Sequence, residues 1–131
     1  MRLYWLADVH GGATFVIAGT AEEARAFYET SESMLPGDAT VEPVLDVPAW
    51  FMEAAVAKLE VWCRDQGFPA GDPSAGLWPC WAFDVDLVHL GASVKWHAIG
   101  VREVVIAGRR FFPTPVSDLP MDRPPRATRW N

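Results

Sequence analysis

Two apolar runs on either side of a glycine pair open this chain, and they constrain its fold more than any other feature. Residues 2 to 8 (RLYWLAD) and 14 to 18 (TFVIA) are rich in β-branched and aromatic side chains, and Gly11-Gly12 lies between them. Such runs are extended, and a short connection containing Gly-Gly turns one back on the other as an antiparallel hairpin. The segment GTAEEARAFYE follows. Thr20 stands as an N-cap with Glu23 three residues on, a capping box that starts a helix. Ala21, Ala24, Phe27 and Tyr28 form its inward stripe, while Glu22, Arg25, Glu29 and Glu32 face away. The helix should fade by Ser33, before Pro36-Gly37.

Residues 39 to 47 (ATVEPVLDV) look extended. Pro43 cannot donate to a ladder, which sends any strand there to a sheet edge. Pro48 suits the first turn of a second helix over about residues 48 to 66, roughly 28 Å long. Gly67 is its left-handed stop, with Phe68 folding back on the last turn. Glu53, Glu60 and Arg64 share one narrow stripe of this helix, and nearly everything else is apolar, including Trp50, Phe51, Val56, Leu59, Val61 and Trp62. A helix of that kind calls for burial, by its own sheet or by a partner chain. Lys58 falls on the apolar side, where a snorkelling stem would cover neighbouring rings.

Residues 69 to 79 form a Pro- and Gly-dense loop. Asp84 is placed to cap a short helix ending at Gly91; the alternation of Phe83, Val85 and Leu87 with two aspartates allows a strand instead. Residues 93 to 98 are expected as a strand, and REVVIAGRRFF as a hairpin turning at Ala107-Gly108. The order is that of an α+β protein with a mainly antiparallel sheet, an N-terminal hairpin, two main helices and a C-terminal hairpin. One domain is expected over residues 1–116, followed by an extended Pro- and Arg-containing tail over 117–131.

At 131 residues, half of them hydrophobic, the chain can bury a sizeable core. No apolar run reaches the length of a bilayer-spanning helix, and Asp8 interrupts the N-terminal run before a signal-peptide core forms, so a cytoplasmic setting is expected. Cys63 and Cys80 have no C-x-x-C partner and write neither a zinc ribbon nor a disulfide scaffold. The net charge is −6, and residues 21 to 60 hold nine acids against Arg25 and Lys58. That balance disfavours nucleic acid, which needs clustered Lys and Arg, and it suits a basic protein partner.

The stretch Asp8-Val9-His10-Gly11, at the end of an apolar strand, resembles the first motif of the calcineurin-like metallophosphoesterases. The resemblance implies Asp8 and His10 as metal ligands, with Gly37-Asp38 offering a second carboxylate at Asp38, and a two-metal site that activates water on a phosphoester. This chain departs from the rest of the family's pattern. Val41 stands where the second motif's final aspartate belongs, a G-N-H motif is missing, and the apolar run TFVIA follows the first motif in place of a helix.

Other chemistry is sparser. Cys80 with His89 or His97 has the residue types of a cysteine nucleophile and its base, without a surrounding signature. Asp84 and Asp86 would share a face of a strand and diverge on a helix. The tryptophans of the loop-rich half are the least ordinary feature, because Trp anchors interfaces. The leading expectation is therefore a non-catalytic acidic module that binds a protein partner without a cofactor, in the manner of a small inhibitor, immunity protein or phage-encoded antagonist. Trp78, Trp81, Trp130, Glu22, Glu29 and Glu32 are its candidate contacts. A metal-dependent phosphoesterase-like hydrolase and a small-molecule binder are the alternatives. Self-association through the apolar second helix fits any of them.

Overall fold

The computed structural model describes residues 1–69, 71–97 and 101–112. The chain divides into two compact units, Met1–Ala82 and the portion from Phe83 onward. The expected boundary at residues 116–117 lies outside the described residues, as does the expected tail. The architecture is α+β, with two antiparallel sheets.

In the first unit, β1 (Arg2–Asp8) and β2 (Ala13–Ala18) form the expected hairpin, pairing Tyr4 with Val16 and Trp5 with Phe15. Side chains alternate across a strand, so the pairing makes two apolar faces. On one, Tyr4, Leu6, Val16 and Ala18 pack with Ala24 and Tyr28 of α1 (Ala21–Ser31). On the other, Leu3, Trp5, Phe15 and Ile17 are each 2 % exposed or less, with the Trp5 and Phe15 rings 4.9 Å apart. A hairpin buried on both faces explains why its strands are nearly continuous apolar runs.

The Thr20 hydroxyl accepts from the Glu23 N–H at 3.1 Å, which starts α1 where the capping pattern placed it. The helix closes with Ser33 at φ 55° and the Met34 N–H donating to the Glu29 carbonyl at 2.8 Å, a Schellman ending built without glycine. β3 (Ala39–Asp46) follows at the sheet edge, beside β1, with Pro43 opposite Tyr4 and a register shift that leaves Val44 unpaired. The other edge is β4 (Cys80–Trp81), a two-residue strand on β2 that the sequence reading placed in no element.

α2 (Ala49–Asp65) ends as expected, with Gly67 at φ 77°, the Phe68 N–H on the Cys63 carbonyl at 3.0 Å and the Phe68 ring 5.4 Å from that of Trp62. Its burial departs from expectation. Only Phe51 is buried, and α2 packs extensively on no other helix or strand of its unit. The expected cover by its own sheet is therefore not what this unit provides. Lys58 is exposed.

The second unit contains α3 (Asp84–His89), β5 (Ser93–Trp96), β6 (Arg102–Ile106) and β7 (Arg109–Phe111), with sheet order β5-β6-β7. Residues 84–89 are thus helix, not the alternative strand. Phe83, not Asp84, occupies the N-cap position, and Asp86 Oδ2 accepts the Phe83 N–H at 2.9 Å. Asp84 instead forms an ion pair with Arg102. The β6–β7 hairpin turns through Ala107 (φ 53°) and Gly108 (φ 72°), the two left-handed residues of a type I′ turn. Val104, Ile106 and Phe111 are buried on one face. Glu103 and Arg110, also buried, form an ion pair at 3.2 Å, and His97 Nε2 lies 3.3 Å from the same carboxylate.

Candidate functional site

Two places in the first unit are candidates, the hairpin turn and the outer face of α2. At the turn, the Asp8 N–H donates to the Gly12 carbonyl at 2.9 Å and closes the loop. The Asp8 carboxylate then does three further jobs. Oδ1 accepts the N–H groups of His10 (2.7 Å) and Gly12 (3.1 Å), and Oδ2 accepts the Tyr28 hydroxyl of α1 at 2.5 Å. The Tyr28 hydrogen bond, with the two N–H donors, holds the Asp8 carboxyl below its ordinary range. Burial and the hydrogen bond to Asp8 push the Tyr28 hydroxyl well above its own. Both glycines have reasons to be there. Gly11 has φ 87°, and a Cβ on Gly12 would sit 2.5 Å from Asp8 Oδ2 and 3.2 Å from Tyr28 Oη.

The structure does bring the three proposed metal ligands to one place. Asp8, His10 and Asp38 line an open depression of about 630 Å³ together with Glu32 and Met34. Lining is not coordination, however. Among the described residues no three His, Cys, Asp or Glu side chains are grouped closely enough to hold a metal ion. Asp8 has both oxygens turned to the loop and to Tyr28, so its local role is to tie the hairpin turn to α1.

The other chemical candidates have structural occupations. Asp84 holds Arg102, and Asp86 holds the first turn of α3. Cys80 lies in β4 of the first unit, whereas His89 and His97 belong to the second. His97 faces Glu103. Cys63, Phe68, Pro69 and Pro73 line a cavity of about 370 Å³ at the C-terminal end of α2.

The candidate partner contacts separate into groups. Glu22 and Glu32 are exposed. Glu29 does not face outward as expected: it is 7 % exposed, and its Oε2 accepts the N–H groups of Gly37 (2.8 Å) and Ala39 (3.2 Å), which holds the loop into β3. Trp81 packs its ring 4.7 Å from Phe27 and 6.1 Å from Tyr28, so it completes the α1 core. Trp78 is half-buried, and Trp130 lies outside the described residues. Among the exposed large apolar side chains of the described residues are Trp50 (54 %), Val61 (49 %) and Trp62 (53 %) of α2 and Phe68 after it (55 %). Hydrophobicity alone could not find them, because it marks a side chain as apolar without saying whether its own chain covers it. The helical wheel was the usable signal, since Trp50 and Val61 lie on one side of α2.

Comparison with protein-family models, with curated proteins and with solved structures gives no match. No helix among the described residues is long and apolar enough to cross a membrane.

Proposed function

We propose that this chain is a non-catalytic protein-binding module of the cytoplasm, with the outer face of α2 as its contact surface. One observation carries the proposal: a helix of 17 residues buries only Phe51 and leaves Trp50 and Val61 of its outer face about half exposed, with Trp62 half exposed on the side of Phe51. Covering the exposed half of Trp50 would contribute on the order of 2 kcal/mol, from roughly 100 Å² of apolar area. Exposed tryptophans on a rigid helix are the kind of anchor that dominates interface energetics. The acidic segment around α1 and α2 supports a basic partner. An inhibitor, immunity or antagonist role is a form this binding would take. The engagement of Asp8 by its own turn favours this reading over the hydrolytic one.

The test is capture of partners by the immobilised full chain, side by side with a variant carrying Trp50→Ser, Val61→Ser and Trp62→Ser. A partner held by the parent and lost by the variant, with unchanged circular dichroism, is the expected result. A partner retained equally by both, or none captured at low salt, would overturn the proposal.

A further inference from the structure

We infer that the α2 face receives an amphipathic helix with basic flanking residues, supplied by another protein and not by a second copy of this chain; this rests on the reading of α2 as a contact surface. At roughly 100° per residue, Trp50, Ala54, Ala57 and Val61 fall within a sector of about 60°. All four are exposed. Their spacing of i, i+4, i+7 and i+11 is that of a helix–helix seam. Two alanines at its centre allow close approach, and Trp50 and Val61 bracket them. One flank carries Glu53 and Glu60, with Arg64 on the same stripe between them and the seam; the other carries Lys58 and Asp65. Every one of these charged residues is exposed.

The flanking charges argue against a second copy. An antiparallel two-fold pair that sets Trp50 beside Val61 of the other copy also sets Glu53 within a turn of that copy's Glu60, and symmetry makes the repulsion twofold. A parallel pair sets Glu53 against Lys58 but Glu60 against Asp65, so attraction and repulsion cancel.

A foreign helix is free of the symmetry constraint. Lys or Arg side chains two turns apart beside its apolar seam would meet Glu53 and Glu60 together. The nine acids of residues 21 to 60, against two bases, extend the same field and favour encounter with a basic partner.

The test uses two synthetic amphipathic peptides with one leucine seam, lysine at the flanks of one and glutamate at the flanks of the other. Each is titrated into the full chain, with tryptophan fluorescence as the readout. The lysine peptide should bind about tenfold more tightly, and the preference should vanish in a Glu53→Lys, Glu60→Lys variant of unchanged helicity. Sedimentation should show the free chain to be a monomer. Equal binding of the two peptides, binding of neither, or a dimer broken by Val61→Glu would overturn the inference. If neither peptide binds but α2 substitution still releases a captured partner, the contact-surface reading survives and the helix class is wrong. If that partner stays bound, both fall.

Discussion

Asp8 shows how one side chain can carry the residue type of a catalytic ligand and the duties of a turn. Its carboxylate accepts two loop N–H groups and the Tyr28 hydroxyl, so it joins the hairpin to α1. Tyr28→Phe removes one charge-assisted hydrogen bond from this set and should cost about 1–2 kcal/mol in a urea melt. Gly12→Ala should cost at least as much, because its Cβ would meet Asp8 Oδ2 at 2.5 Å and force the pair apart. Glu29 permits a sharper comparison, since the sequence placed it with Glu22 on one outward face. Glu29→Ala strips the acceptor from the Gly37 and Ala39 N–H groups and should destabilise by about 2 kcal/mol. Glu22→Ala, on an exposed side chain, should stay within about 0.5 kcal/mol. Matched denaturant curves of the two variants check this, and equal costs would contradict the assignment of Glu29 to the loop.

At the scale of elements, the sequence was legible wherever a local rule decides. Thr20 starts α1, Gly67 stops α2, Pro43 keeps β3 at an edge, and Ala107-Gly108 turns the last hairpin, each through its own backbone geometry. It was not legible where distant residues decide. β4 exists because Val16 and Ile17 offer an edge to Cys80 and Trp81, which no pattern inside a two-residue stretch announces. Trp81 looked like a loop contact for the same reason, and its place against Phe27 depends on a pairing across the sheet. α2 is the converse case, for its apolar composition was clear and its lack of cover was not. Trp50→Ser and Trp62→Ser should therefore each change stability by less than about 0.5–1 kcal/mol. Trp5→Ala, at 2 % exposure, should cost about 3–5 kcal/mol. A large loss from both α2 substitutions in a thermal or urea melt would mean that the helix is covered after all.

For the whole molecule, the Asp8–Tyr28 link sets a pH window for stability. Asp8 has its folded pKa lowered from an ordinary value of 3.8, so its contribution is complete above that value and fades as pH falls through the lower, folded one. Tyr28 is an acid whose folded pKa is raised from 10.0, so folding favours its neutral form; that contribution is complete below 10.0 and fades as pH rises beyond it. Both contributions are intact between about pH 4 and pH 10 and weaken outside those limits. The acid side also protonates the other carboxylates of a chain with 17 acidic residues, which relieves their mutual repulsion and blurs the Asp8 limb. The alkaline side is cleaner, and Tyr28→Phe isolates it. The parent protein should lose denaturant midpoint above pH 10, and the variant, already weaker at neutral pH, should lose less over the same interval. Parallel alkaline curves for the two proteins would mean that the hydroxyl of Tyr28 is not held by Asp8 in solution. The hairpin turn would then need another anchor to α1.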